Sequence, residues 1–133
     1  MIEKRWQHKT WHHKNLKESI IGAFKGIKIV FSLERNARII IIIGVAVLIL
    51  GFLLDASRRD FAMILLTIVA VFACETFNTV IEVILDMIHP QDDPHVKILK
   101  DISSGVVMLA SVCAAIVGAT IFIPKIEMLL RQF

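Results

Sequence analysis

The stretch Phe61-Ala62-Met63-Ile64-Leu65-Leu66-Thr67-Ile68-Val69-Ala70-Val71-Phe72-Ala73-Cys74-Glu75-Thr76-Phe77-Asn78-Thr79-Val80-Ile81-Glu82-Val83-Ile84-Leu85-Asp86 decides how this chain is built. It is long enough to cross the hydrocarbon of a bilayer as a helix, which takes about 20 apolar residues. Its main polar exceptions are Glu75, Asn78, Glu82 and Asp86, at offsets of three, seven and eleven positions. At about 100° per residue these offsets put all four on one helical face, within an arc of roughly 80°. An ionisable side chain inside a membrane helix costs a few kcal/mol, roughly, so such a face marks a functional site by default.

Two further apolar blocks flank this one. Ile39 to Leu54 carries no charge and can be lengthened by snorkelling of Arg38. Ile102 to Ile123 is also uncharged, and Pro124 reads as its stop. The hydrophobic fraction of the 133 residues is 56%, and the mean hydropathy is +0.73, both high for a soluble globule. The expected fold is therefore an all-α integral membrane protein. A polar tail over residues 1–14 precedes a single domain, 15–133, with transmembrane helices over 38–54, 61–86 and 100–123. No cleavable leader is expected, because the first span starts only near Ile39. Cys74 and Cys113 fall in spans and read as small packing residues, with no disulfide framework and no zinc-ligand spacing.

Charge sets the expected orientation. Of the fifteen Lys and Arg residues, nine lie in the first 38 positions, from Lys4 to Arg38. The positive-inside rule then puts the N-terminus in the cytoplasm, the Asp55–Asp60 loop outside, the Met87–Leu99 loop inside and the C-terminus outside. With no nucleic-acid-binding motif and membrane spans following directly, the expected partners of this basic segment are anionic lipid headgroups, not nucleic acid.

Between the tail and the first span the pattern is amphipathic. Leu16, Ile20, Phe24, Ile27 and Phe31 share one side, while Glu18, Lys25, Lys28 and Ser32 fall on the other. A basic amphipathic helix over 15–33, lying in the membrane interface, is expected. Asn15 and Glu18 stand where an N-cap and its N3 acid would be. Gly22 and Gly26 have the spacing of a close helix contact, which chance also explains. Ala110, Ala114 and Gly118 form a small-residue stripe that suits close helix approach, and a bundle built from several chains is expected. In the tail, His8 and His12 have a spacing that suits a metal on a helix, although an interfacial tail with Trp6 and Trp11 accounts for them equally.

Several groups with chemical potential gather at the expected cytoplasmic edge. Glu34 lies in Glu34-Arg35-Asn36-Ala37-Arg38, the four polar residues descend the second span, and Lys100-Asp101 open the third. Hard carboxylate oxygens suit Mg²⁺, which commonly bridges a few carboxylates and the phosphates of a nucleotide. A lysine offers charge to phosphate, and a deeper glutamate in less polar surroundings suits a general base. Together they suit phosphoryl transfer to a hydroxyl held at the membrane surface. Neither a G-x-x-x-x-G-K-[ST] loop nor an H-R-D and D-F-G pair is present. On the residues alone two other readings stay open: a polar network that only fixes helix packing, and an ion or proton pathway in a non-enzymatic channel or assembly subunit.

The string Ala73-Cys74-Glu75-Thr76-Phe77-Asn78-Thr79-Val80-Ile81-Glu82 resembles the A-x-E-x-x-N-[TS]-x-I-E signature of the small prokaryotic diacylglycerol kinase family, which includes undecaprenol kinases. Asp86, Pro94 and Lys100-Asp101 follow at that family's spacing, and Phe24-Lys25-Gly26 with Glu34-Arg35-Asn36-Ala37-Arg38 resembles its upstream segment. The resemblance covers about residues 15 to 123. It implies a homotrimeric kinase of the bacterial inner membrane, with an amphipathic surface helix and three spans per chain and active sites shared between chains. It also implies transfer of the γ-phosphoryl group of MgATP to a lipid hydroxyl. By motif, Glu75 matches the catalytic base, and Glu34 and Glu82 match the carboxylates on Mg²⁺. Asn78, Asp86, Lys100 and Asp101 join those two in the ATP site, while Gly26, Arg38 and Ser104 border the lipid beside Glu75. Asp93-Pro94-His95 departs from the family's His-Pro, and Lys100-Asp101-Ile102-Ser103-Ser104-Gly105 carries Ser104 where the family has Ala. The E-R-N-x-R form and the long basic N-terminus look more like undecaprenol kinases, with diacylglycerol as the alternative substrate.

Overall fold

Backbone amides in hydrocarbon have no water to bond, so apolar runs of this length satisfy themselves as helices. The computed structural model describes residues 15–89 and 93–131. They form α1 (Leu16–Leu33), α2 (Arg35–Leu53), α3 (Arg58–Ile88) and α4 (Pro94–Leu130). The last three are long and apolar enough to cross a membrane, as befits a multi-pass membrane protein. The tail with His8 and His12 lies outside the described residues.

Local chemistry explains most of the ends. Ser57 and Asp60 form a reciprocal capping box at the start of α3: the Asp60 N–H donates to Ser57 Oγ at 3.2 Å, and the Ser57 N–H donates to Asp60 Oδ2 at 2.8 Å. Before it, Asp55 takes φ 48°, a left-handed conformation that aspartate tolerates better than most residues. Asp93 is the N-cap of α4, its Oδ1 accepting from the His95 N–H at 2.8 Å, with Pro94 at the first helical position. The departure from the family's His-Pro is thus a helix start. Asn15 is the N-cap of α1 but caps with no side-chain bond. Its carbonyl accepts from the Glu18 and Ser19 amides at 3.0 and 3.2 Å, so the capping box read from Asn15 and Glu18 does not form.

Pro124, read as a stop, lies inside α4, which continues to Leu130. Proline removes one ladder bond, but a long helix keeps the bonds on either side, and transmembrane helices tolerate the loss. The following residue, Lys125, ties the continuation to the neighbouring turn. Its Nζ donates to the Asp55 carbonyl at 3.1 Å and pairs with Asp60 at 3.7 Å.

α3 is the central element, with α2 and α4 packed on it. Ile64, Ile121 and Phe122 are buried between α3 and α4, joined by Val47, Leu48 and Ile68. Gly44 brings α2 close, because a Cβ there would lie 3.0 Å from the Ile68 side chain. Gly26 and Gly118 make no such approach: a Cβ at either would meet nothing within 4 Å. Ala114 and Gly118 of the small-residue stripe instead help line an open apolar groove of about 380 Å³ among α2, α3 and α4, with Ile43 and Ile68 also in its lining. Large apolar side chains such as Leu66, Phe77 and Met108 are exposed, as suits a surface in lipid or against other chains.

A single non-helical residue, Glu34 (φ −105°, ψ 120°), turns α1 into α2. Arg38 Nη1 donates to the Phe31 carbonyl at 2.9 Å, Ala37 is fully buried, and the Phe31 ring stacks on Phe72 at 5.5 Å. These contacts hold the corner against the polar half of α3.

Candidate active site

The polar face of α3 stays on one side of the helix and meets both neighbours. Glu75 is 3% exposed and Thr79 4%. The Thr79 hydroxyl donates to the Glu75 carbonyl at 3.0 Å, a local bond that satisfies it without leaving the helix. The Glu75 carboxylate takes a hydrogen bond from the side chain of Asn36, in the first turn of α2, and feels the charges of Glu34 and Glu82. One turn further along, Asn78 Nδ2 donates to Glu82 Oε1 at 2.9 Å. From α4, Ser103 Oγ donates to Asn78 Oδ1 at 2.6 Å. At the end of the face, Lys100 Nζ forms an ion pair with Asp86 Oδ1.

Along α3 the site grades from the buried Glu75 through the half-buried Glu82 to the exposed Asp86.

The fold brings together Glu34, Glu75, Asn78 and Glu82, and it sets Asp86 against Lys100. It does not gather every expected residue. Asp101 and Ser104 are exposed on α4, Gly26 is exposed on α1, and the Arg38 guanidinium caps the α1 carbonyls. Two contributors were missed in the sequence. Asn36 lies within the Glu34–Arg38 segment without standing out there, and Ser103 occupies a variable position of the Lys100-Asp101 motif. Helical spacing held a signal for Ser103, because it lies one turn beyond Lys100 and therefore shares its face.

Glu34 and Glu82 lie near enough to Glu75 to act on its charge. The donors are hard oxygens, as Mg²⁺ requires. Among the described residues no three Asp, Glu, His or Cys side chains are close enough to enclose an ion by themselves.

The family described as prokaryotic diacylglycerol kinase matches residues 22–122. The chain belongs to that family. It is accordingly a membrane-embedded lipid kinase, and a non-enzymatic channel or assembly subunit is set aside. The chain is 36% identical over 109 residues to a protein named undecaprenol kinase from Bacillus subtilis (strain 168), covering 82% of this chain and 89% of that one. It is 34% identical over 113 residues to a protein named diacylglycerol kinase from Synechocystis sp. (strain ATCC 27184 / PCC 6803 / Kazusa), covering 84% of this chain but 65% of that one. No solved structure gave a significant match.

Proposed function

We propose that this kinase phosphorylates undecaprenol, using MgATP, with Glu75 as the general base. The observation that carries the reading is the buried Glu75 carboxylate with Glu34 and Glu82 beside it. In the proposed arrangement Glu75 lies near the hydrocarbon edge, where a lipid hydroxyl reaches it from the membrane, and a nucleotide reaches Glu82 and Asp86 from water. In the step, Glu75 takes the hydroxyl proton as the lipid oxygen attacks the γ-phosphorus. The bond from that phosphorus to the bridging β-γ oxygen breaks, leaving lipid phosphate and ADP.

Glu34 and Glu82 would hold the Mg²⁺, which neutralises charge developing on the phosphates. Asn78 orients Glu82, Lys100 offers its ammonium to phosphate, and Asp86 and Asp101 border the nucleotide. Gly26, Arg38 and Ser104 border the lipid. The basic α1 segment rests on anionic headgroups with the N-terminus cytoplasmic and the C-terminus outside. The exposed apolar faces pack into a homotrimer whose chains share active sites. Diacylglycerol is the second reading. Undecaprenol is preferred because the similarity to the Bacillus protein covers 89% of that protein's length, against 65% of the Synechocystis protein.

Glu82→Gln tests the division of labour. It removes one charge from the cation site while keeping the shape and the Asn78 hydrogen bond. The KM for MgATP should rise about tenfold or more, with the KM for lipid alcohol little changed, in steady-state assays at varied Mg²⁺. An equal rise in both constants would count against Glu82 as a metal-side residue.

A further inference from the structure

Ser103 lies outside the residues that the family motif marks, yet it is 7% exposed and bonds to the middle of the polar face. We propose that Ser103 is a positioning residue for phosphoryl transfer: it locks the Asn78 amide so that its N–H is aimed at Glu82. This rests on the reading of Glu82 as a nucleotide-side carboxylate.

The chain of bonds has a direction. The Ser103 Oγ stands 2.6 Å from Asn78 Oδ1 and 2.9 Å from the Lys100 carbonyl. A hydroxyl has one proton, so it donates to one of these at a time. Asn78 Nδ2 stands 2.9 Å from Glu82 Oε1. An amide turned the other way would set its oxygen against the carboxylate oxygen, which is repulsive. The carboxylate therefore selects the amide orientation, and the serine hydroxyl, donating to Oδ1, holds it there. With serine removed, the Asn78 oxygen loses its buried donor, and the amide has reason to rotate away from Glu82. The fixed hydrogen bond then no longer sets the Glu82 carboxylate. Ser104, one residue on, cannot substitute, because a step of about 100° carries it to the exposed side of α4.

The test uses the full-length protein in lipid nanodiscs, comparing wild type with Ser103→Ala and Ser103→Thr. Ser103→Ala should raise the KM for MgATP about 5- to 10-fold, in the lower range of second-shell losses. It should leave the KM for lipid alcohol within about twofold, and Ser103→Thr should restore the wild-type value because it keeps the hydroxyl. A parallel ¹⁵N-asparagine spectrum resolves the side-chain amides of Asn15, Asn36 and Asn78, the chain's three asparagines. The Asn78 amide protons should exchange slowly with solvent in wild type and in Ser103→Thr, and fast in Ser103→Ala. Unchanged Asn78 exchange in Ser103→Ala, or a loss that threonine fails to rescue, would overturn the proposal. Wild type that phosphorylates no alcohol would sink the substrate reading instead, and the amide exchange would still decide whether Ser103 holds Asn78.

Discussion

α3 and α4 are antiparallel, and an ion pair marks each end of their apolar contact. At one end Asp60 meets Lys125. At the other Asp86 meets Lys100. The two pairs bracket segments of about 24 residues, or ~36 Å of helix. Their surroundings differ. Asp60 also closes the capping box with Ser57, and Lys125 also bonds the Asp55 carbonyl. Every group there serves the turn and the two helix ends. On the same half of α3 lie Glu75 and Glu82, with Glu34 near Glu75, carboxylates of like charge that the fold draws together. Like charges at short range oppose folding unless something else offsets them. One terminus neutralises its own charges, and the other accumulates negative charge.

Substitutions can break that contrast in decreasing order of effect. Glu75→Gln, at the reactive end, should lower kcat by about 10²–10⁴-fold, the usual contribution of a general base. Circular dichroism should show unchanged helix content, since Gln keeps the shape and an acceptor for Asn36. Lys100→Met should cost about tenfold in kcat/KM for MgATP, in keeping with the loss of one charge-assisted contact to phosphate. Lys125→Met cuts the corresponding pair at the structural end and should leave kcat and both KM values within about twofold. Its effect belongs in thermal unfolding in detergent, where loss of a surface pair should lower the midpoint only slightly. Equal kinetic losses in Lys100→Met and Lys125→Met would erase the distinction between the two ends.

The membrane class was legible because apolar length is a strong signal. The polar face was legible because helical spacing puts Glu75, Asn78, Glu82 and Asp86 on one side without tertiary information. Helix ends were read less well where two rules competed. Pro124 breaks helices in water, but a helix of this length keeps its ladder around it. Asn15 is the N-cap and Glu18 the N3 acid, as their spacing indicates, although the Asn15 side chain makes no cap bond, while Ser57 and Asp60 build a full box. Contacts between helices were the least legible. Nothing local distinguishes Gly44, which meets Ile68, from Gly26, which meets nothing. Nor does a motif reveal that Ser103 rather than Ser104 faces Asn78, because that depends on how α4 is rotated against α3.

The most direct measurement offers the purified protein, in bilayers, equal mole fractions of undecaprenol and diacylglycerol with Mg²⁺ and ATP labelled at the γ-phosphate. Label should pass into the lipid extract as undecaprenyl phosphate, faster than into phosphatidic acid, and Glu75→Gln should transfer none above background. Phosphatidic acid as the dominant product would reverse the substrate assignment. Label released only as inorganic phosphate, or equal transfer by Glu75→Gln, would contradict the claim that the charged end of α3 carries phosphate to a lipid hydroxyl.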